Sequence, residues 1–301
     1  STLVAGGNGA DVTVQADGDI SLATINTSGG NGGPLGNGGD GGNVSMTSDT
    51  GGITTNNIST QGGLGENGGL GGDVELIADG NIVNTILIST AGGNANLNGG
   101  HAGDVLVCST GGGAIAFATI NASGGNGEYG GDAGNIVLDN SSGTQNITLN
   151  TQLRAIGGTG VDSSGNDDGA DGIVTLLTGG AIVDADETQT DVVAGLLQIQ
   201  AGTGIAGGAG DNARLEIDVS VLAATTATGS IVITDDDSLA GDRLDGLTIG
   251  EVVADVKGMP VTTTGVTVTD DAGGRIDIEA TGELVVVEQV DNAGDAATAT
   301  I

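Results

Sequence analysis

The chain has 301 residues, 62 of them glycine, and carries 39 acidic against five basic residues, a formal net charge of −34. Such a negative field repels nucleic acid and anionic membrane surfaces and excludes both as partners. No apolar run reaches the roughly 18 residues that predict a membrane-spanning helix. Aromatic residues make up 1% and β-branched residues are abundant, which favours an all-β fold with a core of small side chains.

Residues 1–178 contain an internal repeat with two landmarks. The first is an isoleucine triplet followed by a small residue and two glycines, as in TINTSGG and NISTQGG. The second is a polar residue that opens a strand pattern such as GGDVEL. Both landmarks recur with nearly the same period, which is typical of a repeat architecture. The isoleucines are Ile25, Ile58, Ile88 and Ile120, and the polar residues are Asp11, Asn43, Asp73, Asp104 and Asn135.

This repeat predicts the architecture of the chain. Each period of about 31 residues holds three short strand patterns and no stripe typical of a helix. We therefore expect a parallel β-solenoid, in which equivalent residues of successive coils stack about 4.8 Å apart. The polar landmark then forms a structural ladder in which asparagine relieves repulsion between stacked carboxylates. A cation between Asp73 and Asp104 is the alternative interpretation of that column.

Glycine-rich segments lie between the two landmarks. In the longest, residues 29–43, the non-glycine residues fall mainly at every third position: Asn31, Pro34, Asn37, Asp40 and Asn43. A period of three is that of the polyproline II conformation, and glycine lets extended backbones approach closely. We predict ordered polyproline II-like arms stacked beside the coils. A flexible surface loop is the alternative.

Residues 179–301 show leaner strand patterns without glycine-rich segments. The spacing of Ile231 in GSIVIT and Ile276 in GRIDIEA suits two short coils without arms. We expect residues 179–301 to continue the solenoid of residues 1–178. Joined end to end, Ile301, Ser1 and Thr2 recreate the Ile-Ser-Thr triplet of the internal coils. These three residues therefore predict head-to-tail self-association, or one cassette of a tandem array.

The motifs AGTGIAGGAG, DGLTIGEV and GRIDIEATGELVVVEQV resemble those of filamentous-haemagglutinin-like giant exoproteins and adhesins of bacteria. The glycine-rich coils resemble the "β-strand repeat" relatives of that family. The resemblance covers nearly the whole chain, but its motifs are loose and report fold more than activity. It implies a right-handed parallel β-helix, secretion and a role at the cell surface, and it transfers no catalytic residue.

Two acidic loops are candidate calcium sites, because calcium takes six to eight oxygen ligands from carboxylates and carbonyls. The alternative is that both loops are solvated turns. The candidate ligands are Asp167, Asp168 and Asp171 in GNDDGADG and Asp235, Asp236 and Asp237 in TDDDSLAGD. GGNGADVTV and GGLGGDVEL nearly match a calcium-binding nonapeptide but lack its tandem nine-residue period, so that family is rejected. No cofactor is required, and calcium is the one ion considered.

Catalysis is not expected. Cleavage of acidic polysaccharides would need converging basic residues and carboxylates, and the five basic residues are scattered. His101 has no serine or cysteine partner at a telling spacing, and Cys108 lies in an apolar strand pattern. Ice binding by a threonine column at Thr27, Thr60 and Thr90 is a further alternative, although Ala122 interrupts that column.

The sequence therefore predicts a structural repeat segment of an extracellular or cell-surface fibre. Its expected partners are itself or flanking copies, without nucleic acid and without membrane insertion. An adhesin that binds a surface glycan or receptor through the arms is the main alternative.

Overall fold

The computed structural model describes residues 3–161, 167–185, 189–205, 214–236, 244, 246–269 and 274–292. These residues form 23 β-strands and no helix, which confirms the predicted all-β class. Because they contain no helix, none of them lies in a long apolar helix of the kind that crosses a membrane. Within these ranges, the β-strand pairings described below are parallel, with the exception of one hairpin.

The strands are short in the first half of the chain and more variable in the second. The first eleven are β1 (Val12–Ala16), β2 (Ile20–Asn26), β3 (Val44–Ser48), β4 (Ile53–Ser59), β5 (Val74–Ala78), β6 (Ile82–Ser89), β7 (Val105–Ser109), β8 (Ile115–Asn121), β9 (Ile136–Asn140), β10 (Ile147–Leu149) and β11 (Leu153–Ala155). The others are β12 (Ile173–Thr178), β13 (Ile182–Asp184), β14 (Val192–Ala201), β15 (Leu215–Thr226), β16 (Ile231–Asp235), β17 (Leu247–Ile249), β18 (Glu251–Val256), β19 (Met259–Thr264), β20 (Val266–Val268), β21 (Ile276–Ala280), β22 (Leu284–Val286) and β23 (Val290–Asn292).

The chain divides into two compact units. The first unit comprises Ser1–Cys108, Phe117–Ile136 and Arg154–Gly172. The second unit comprises Ser109–Ala116, Val137–Leu153 and Ile173–Ile301.

In the first unit, each strand pairs with the equivalent strand one period later. β1, β3 and β5 pair in parallel and in register, so that Val44 lies opposite Val74. β2, β4 and β6 do the same and place Ile25, Ile58 and Ile88 in one column. Buried and half-buried residues alternate along β3 and β5, as expected for strands with one face on the core. Like side chains therefore stack on like side chains.

The glycine-rich segments of the first unit hydrogen bond to one another through their backbones. The N–H of Gly39 donates to the carbonyl of Gly30 at 2.8 Å, the N–H of Gly63 to that of Gly39 at 2.8 Å, and the N–H of Gly69 to that of Gly63 at 2.9 Å. The bonds thus alternate between the outgoing and returning halves of successive segments. A Cβ atom on Gly63 would lie 2.0 Å from the carbonyl oxygen of Gly30. Only glycine allows this approach.

The second unit also stacks parallel strands, and among the described residues most of the buried hydrophobic side chains belong to it. β12, β14 and β15 pair in register, so that Leu176, Ile199 and Ala224 form a column. β20 and β23 extend it through Val266 and Val290. Each of Leu176, Ile199, Ala224 and Val266 is fully buried. The number of residues between paired strands varies because segments of different length join them.

Residues 251–264 form an antiparallel hairpin, β18–β19, which the sequence pattern did not predict. The hairpin packs on β14 through Gln198, whose amide donates to the carbonyl of Val261 at 3.0 Å and to the hydroxyl of Thr263 at 2.8 Å. The interpretation of the spacing between Ile231 and Ile276 as two coils is wrong. Ile231 pairs directly with Ile276, so the spacing is one step, lengthened by β17, the hairpin and β20.

Candidate metal centre

Three acidic side chains converge in the second unit. Oxygens from Asp184, Asp191 and Glu216 all lie within 4.8 Å of one another, and this is the only group of three possible metal ligands among the described residues. Asp184 is the last residue of β13, Asp191 directly precedes β14, and Glu216 is the second residue of β15. We call these three residues the acidic cluster. It consists of oxygen ligands only.

Backbone pairing brings Asp191 and Glu216 together. The N–H of Asp191 donates to the carbonyl of Glu216 at 2.8 Å. In return, the N–H of Glu216 donates to Oδ2 of Asp191 at 3.1 Å. The carbonyl of Asp191 accepts the N–H of Leu153 at 2.7 Å, which holds the residue from its other side. The parallel ladder therefore positions both carboxyl groups on the same face.

The acidic cluster is shielded from solvent. Asp191 is 0% exposed and Asp184 is 3% exposed, whereas Glu216 is half-buried. Two carboxylates about 4 to 5 Å apart repel by about 3 to 4 kcal/mol at an effective dielectric constant of about 20. Such a group persists only if a proton or a cation reduces its charge.

The pKa of Asp191 is raised by the same burial and repulsion. Burial, and then repulsion from the carboxylate of Asp184, raise the pKa of Asp191 to about 9, and the N–H bond from Glu216 opposes them. In the absence of a cation, a proton is therefore bound at neutral pH. A bound cation would replace that proton, because metal ligands must be deprotonated.

Sequence reasoning missed the acidic cluster. Along β15, acidic and apolar residues alternate in LEIDVS, which is typical of a strand with one solvated face. However, the segment VVAGLL that follows Asp191 is apolar at nearly every position, a signal for a strand buried on both faces. That signal could have indicated that Asp191, which directly precedes β14, is buried.

The predicted ligands of the first acidic loop accept hydrogen bonds from the backbone N–H groups of glycines. Oδ1 of Asp171 accepts the N–H of Gly157 at 2.8 Å, and Oδ1 of Asp168 accepts the N–H of Gly160 at 2.5 Å. The backbone carbonyl of Asp167 accepts an N–H from Gly130 at 2.7 Å. The three carboxyl groups do not meet in a ligand group of the kind formed by the acidic cluster.

The second predicted acidic loop lies at the end of β16. Asp235 is fully buried and pairs with Ile217 and Ala280 in the parallel ladder. The N–H of Asp236 donates to the carbonyl of Ile217 at 2.8 Å. Asp237 lies outside the described residues, as do Ser1, Thr2 and Ile301, the predicted self-association residues.

The predicted polar column makes one hydrogen bond at every step. A side-chain Oδ1 accepts the backbone N–H of the next member, at distances of 2.7 to 2.9 Å. The four steps run from Asp11 to Asn43, from Asn43 to Asp73, from Asp73 to Asp104 and from Asp104 to Asn135. Aspartate and asparagine serve equally because both present an acceptor oxygen at this position. Of the predicted isoleucines, Ile25, Ile58 and Ile88 pair in register, and Ile120 is fully buried in β8.

The threonine column lies inside the first unit. Thr27, Thr60 and Thr90 are at most 5% exposed, and each hydroxyl donates at 2.6 Å to a glycine carbonyl at the base of a returning segment. Buried hydroxyl groups cannot order water at a surface. The column therefore does not have the exposed face that the ice-binding alternative requires.

A groove of about 400 Å³ lies beside the outgoing glycine-rich segments of the first unit. Polar side chains and glycines make up most of its lining, and Arg154 is the only charged residue in it. Asn94, Asn126 and Thr159 contribute equivalent positions of successive periods. The groove lacks aromatic side chains.

Comparison with known proteins identifies no relative: no family profile, curated protein or solved structure matches this chain.

Proposed function

We propose that the chain is a structural segment of an extracellular or cell-surface fibre, built as a right-handed parallel β-solenoid. The observation that carries this proposal is the in-register stacking of equivalent residues one period apart, as at Ile25, Ile58 and Ile88. Such stacking buries a continuous column, and each coil offers the same pairing surface to the next. The chain fits the filamentous-haemagglutinin-like exoproteins that its motifs resemble.

The glycine-rich segments are, in this proposal, polyproline II-like arms that stiffen the segment laterally. Two features support this conformation: hydrogen bonds between segments, and glycines whose Cβ atoms would collide with neighbouring backbone. Along the returning half of the longest segment, Gly36, Gly39 and Gly42 are buried at every third position, while Asn37 and Asn43 are exposed. A threefold helix with one packed edge has this periodicity.

The fibre proposal is tested with a chain that carries two copies of the sequence in direct succession. We expect X-ray scattering and electron microscopy to show a rod of twice the length of the single copy and of unchanged cross-section. Oriented material should diffract at about 4.8 Å along the rod. The control joins the two copies by a flexible Gly-Ser linker, which uncouples them. If the direct fusion scatters like the linked control, the fibre proposal is wrong.

A second candidate function is glycan adhesion, and the groove beside Arg154 is the observation that favours it. Its asparagine and threonine side chains repeat with the coil and could bind successive sugars of a polymer through hydrogen bonds. A glycan array with the wild type and with Arg154→Gln tests this candidate. We expect the variant to lose binding while its melting temperature stays at the wild-type value. Equal binding by both proteins would exclude the groove.

A further inference from the structure

We propose that the acidic cluster of Asp184, Asp191 and Glu216 binds one calcium ion that stabilises the second unit. This inference is independent of the proposed fibre function, because a solenoid needs no metal to stack. It differs from the two acidic loops that the sequence pattern indicated, since neither Asp184, Asp191 nor Glu216 belongs to them.

The first observation is the position of the three carboxyl groups. Pairing of β14 with β15 brings Asp191 and Glu216 together, Asp184 joins them from the end of β13, and one oxygen of each lies within 4.8 Å of the others. Calcium–oxygen distances are about 2.3 to 2.6 Å, so two ligands on opposite sides of one ion are about 4.6 to 5.2 Å apart. Three oxygens at such separations can all lie at a calcium–oxygen distance from one common point.

The second observation is an oxygen without a hydrogen-bond partner. Asp191 is 0% exposed, and its Oδ1 atom accepts no hydrogen bond, whereas its Oδ2 atom accepts the N–H of Glu216. A buried acceptor without a partner is rare in native structures and costs stability. Because this side chain belongs to the cluster, a cation bound there would satisfy the oxygen.

The chemistry of the ligands selects the ion. Zinc prefers imidazole and thiolate ligands, and the cluster offers neither. Magnesium demands distances of about 2.0 to 2.1 Å and keeps several waters, which a cluster this buried does not favour. Three carboxylates, of which each can bind through two oxygens, supply up to six of the six to eight ligands that calcium takes. Asp218, a buried acid two residues along β15, lies on the same strand face as Glu216 but is not one of the three grouped ligands.

The test uses the full chain, freed of metal with EDTA and titrated with calcium chloride in a calorimeter. We expect one site per chain, with a dissociation constant between about 10⁻⁶ and 10⁻⁴ M, above the weak background of the other acidic residues. Equimolar magnesium should compete poorly. The melting temperature should rise with calcium concentration, because the ion binds the folded state. A wild-type chain that shows no stoichiometric site would overturn the proposal and leave a proton as the neutralising charge.

Two substitutions assign the site. Asp191→Asn and Glu216→Gln each remove one ligand charge and should weaken calcium binding about tenfold or more. The matched control is Glu251→Gln, the same chemical change at an exposed position of β18, which should bind calcium like the wild type. If both variants retain the wild-type affinity, the calcium ion lies elsewhere and the proposal is wrong.

A general loss of stability can be told apart from a loss of calcium binding, because the melting temperature of the variant relative to the wild type should change in opposite directions in EDTA and in calcium. In EDTA, Asp191→Asn takes one buried acidic group out of the cluster, so the variant should melt at or above the wild-type temperature. In saturating calcium it should melt below the wild type. A variant that melts lower by the same amount in both conditions would show a packing defect only and would contradict the proposal.

Discussion

Asp73 accepts the backbone N–H of Asp104 through its side-chain Oδ1 at 2.9 Å, one period along the chain. The bond stacks one carboxylate directly on another. Elsewhere in the described column an asparagine alternates with an aspartate, from Asp11 to Asn43 to Asp73 and from Asp104 to Asn135. The step from Asp73 to Asp104 is therefore the one at which hydrogen bonding and charge repulsion oppose each other.

We predict that Asp104→Asn stabilises the first unit at neutral pH. Burial, and to a lesser degree repulsion from Asp73, raise the pKa of Asp104 above 3.8, although its bond from the Asn135 N–H opposes the shift. The folded chain then holds this proton more tightly than the unfolded chain. The free energy of unfolding must therefore fall as the pH rises from 3.8 through the raised pKa. Asparagine keeps the acceptor oxygen and removes this dependence.

Neighbouring parts of the chain shield the carboxyl group enough to raise its pKa, but the residue as a whole is exposed and solvent screens the repulsion. The gain should therefore stay below about 1 kcal/mol. Urea unfolding between about pH 4 and pH 8 measures it. Asp11→Asn is the control, since the next member of the column above it is Asn43 instead of a carboxylate. A stability of Asp104→Asn that equals the wild type at the upper pH would contradict the prediction.

We predict that Gly63→Ala severely destabilises the first unit. The new Cβ atom would lie 2.0 Å from the carbonyl oxygen of Gly30, and both groups are backbone that cannot move aside alone. The cost should be at least about 2 kcal/mol. Gly7→Ala, where a Cβ atom has no neighbour within 4 Å, should be near neutral. Thermal melting of both variants decides the matter, and equal melting temperatures would show that the glycine-rich segments are not packed.

We predict that Thr60→Val weakens the first unit through a lost hydrogen bond. The hydroxyl of Thr60 is buried and donates to the Gly72 carbonyl at 2.6 Å, and valine has the same shape without a donor. Loss of this bond should cost about 1 to 2 kcal/mol, measured as a lower urea midpoint with an unchanged slope. Thr54→Val makes the same change at an exposed position of β4 and should cost much less. Equal losses would contradict the role of the hydroxyl.

We predict that Gln198→Leu loosens the β18–β19 hairpin without unfolding the rest of the second unit. The buried Gln198 amide bonds to Val261 and Thr263, and leucine would leave that carbonyl without this donor. The cost should be about 1 to 3 kcal/mol and should fall on the hairpin. Hydrogen exchange should therefore accelerate across β18 more than across β15. A uniform acceleration would mean that the hairpin and the ladder unfold together.

The repeat in the first unit could be predicted because the same residue types recur at the positions that stack. Ile25, Ile58 and Ile88 share a column, and their nearly constant spacing is visible in the sequence without any structure. The ordered packing of the glycine-rich segments is also visible in the sequence. Their non-glycine residues keep a period of three because the packed edge tolerates no side chain.

The hairpin and the acidic cluster are less visible in the sequence pattern. Alternating apolar and polar residues, as in β18, indicate a strand but not whether its partner runs parallel or antiparallel. The acids Glu216 and Asp218 occupy positions that alternation assigns to the outer face. Whether that face meets solvent depends on what packs over it from distant parts of the chain, and local pattern does not contain this information.

The hydrogen bonds of the polar column, from each backbone N–H to a side-chain Oδ1, all run in the same direction along the stack. From Asp11 to Asn135, every acceptor belongs to the earlier period and every donor to the later one. A stack of repeats bonded in this way is therefore polar: one end of the column presents acceptor oxygens and the other presents N–H donors. If copies join as we propose, by extending this column, they do so heterologously, with all chains pointing the same way, and the product would be an open filament in place of a closed dimer.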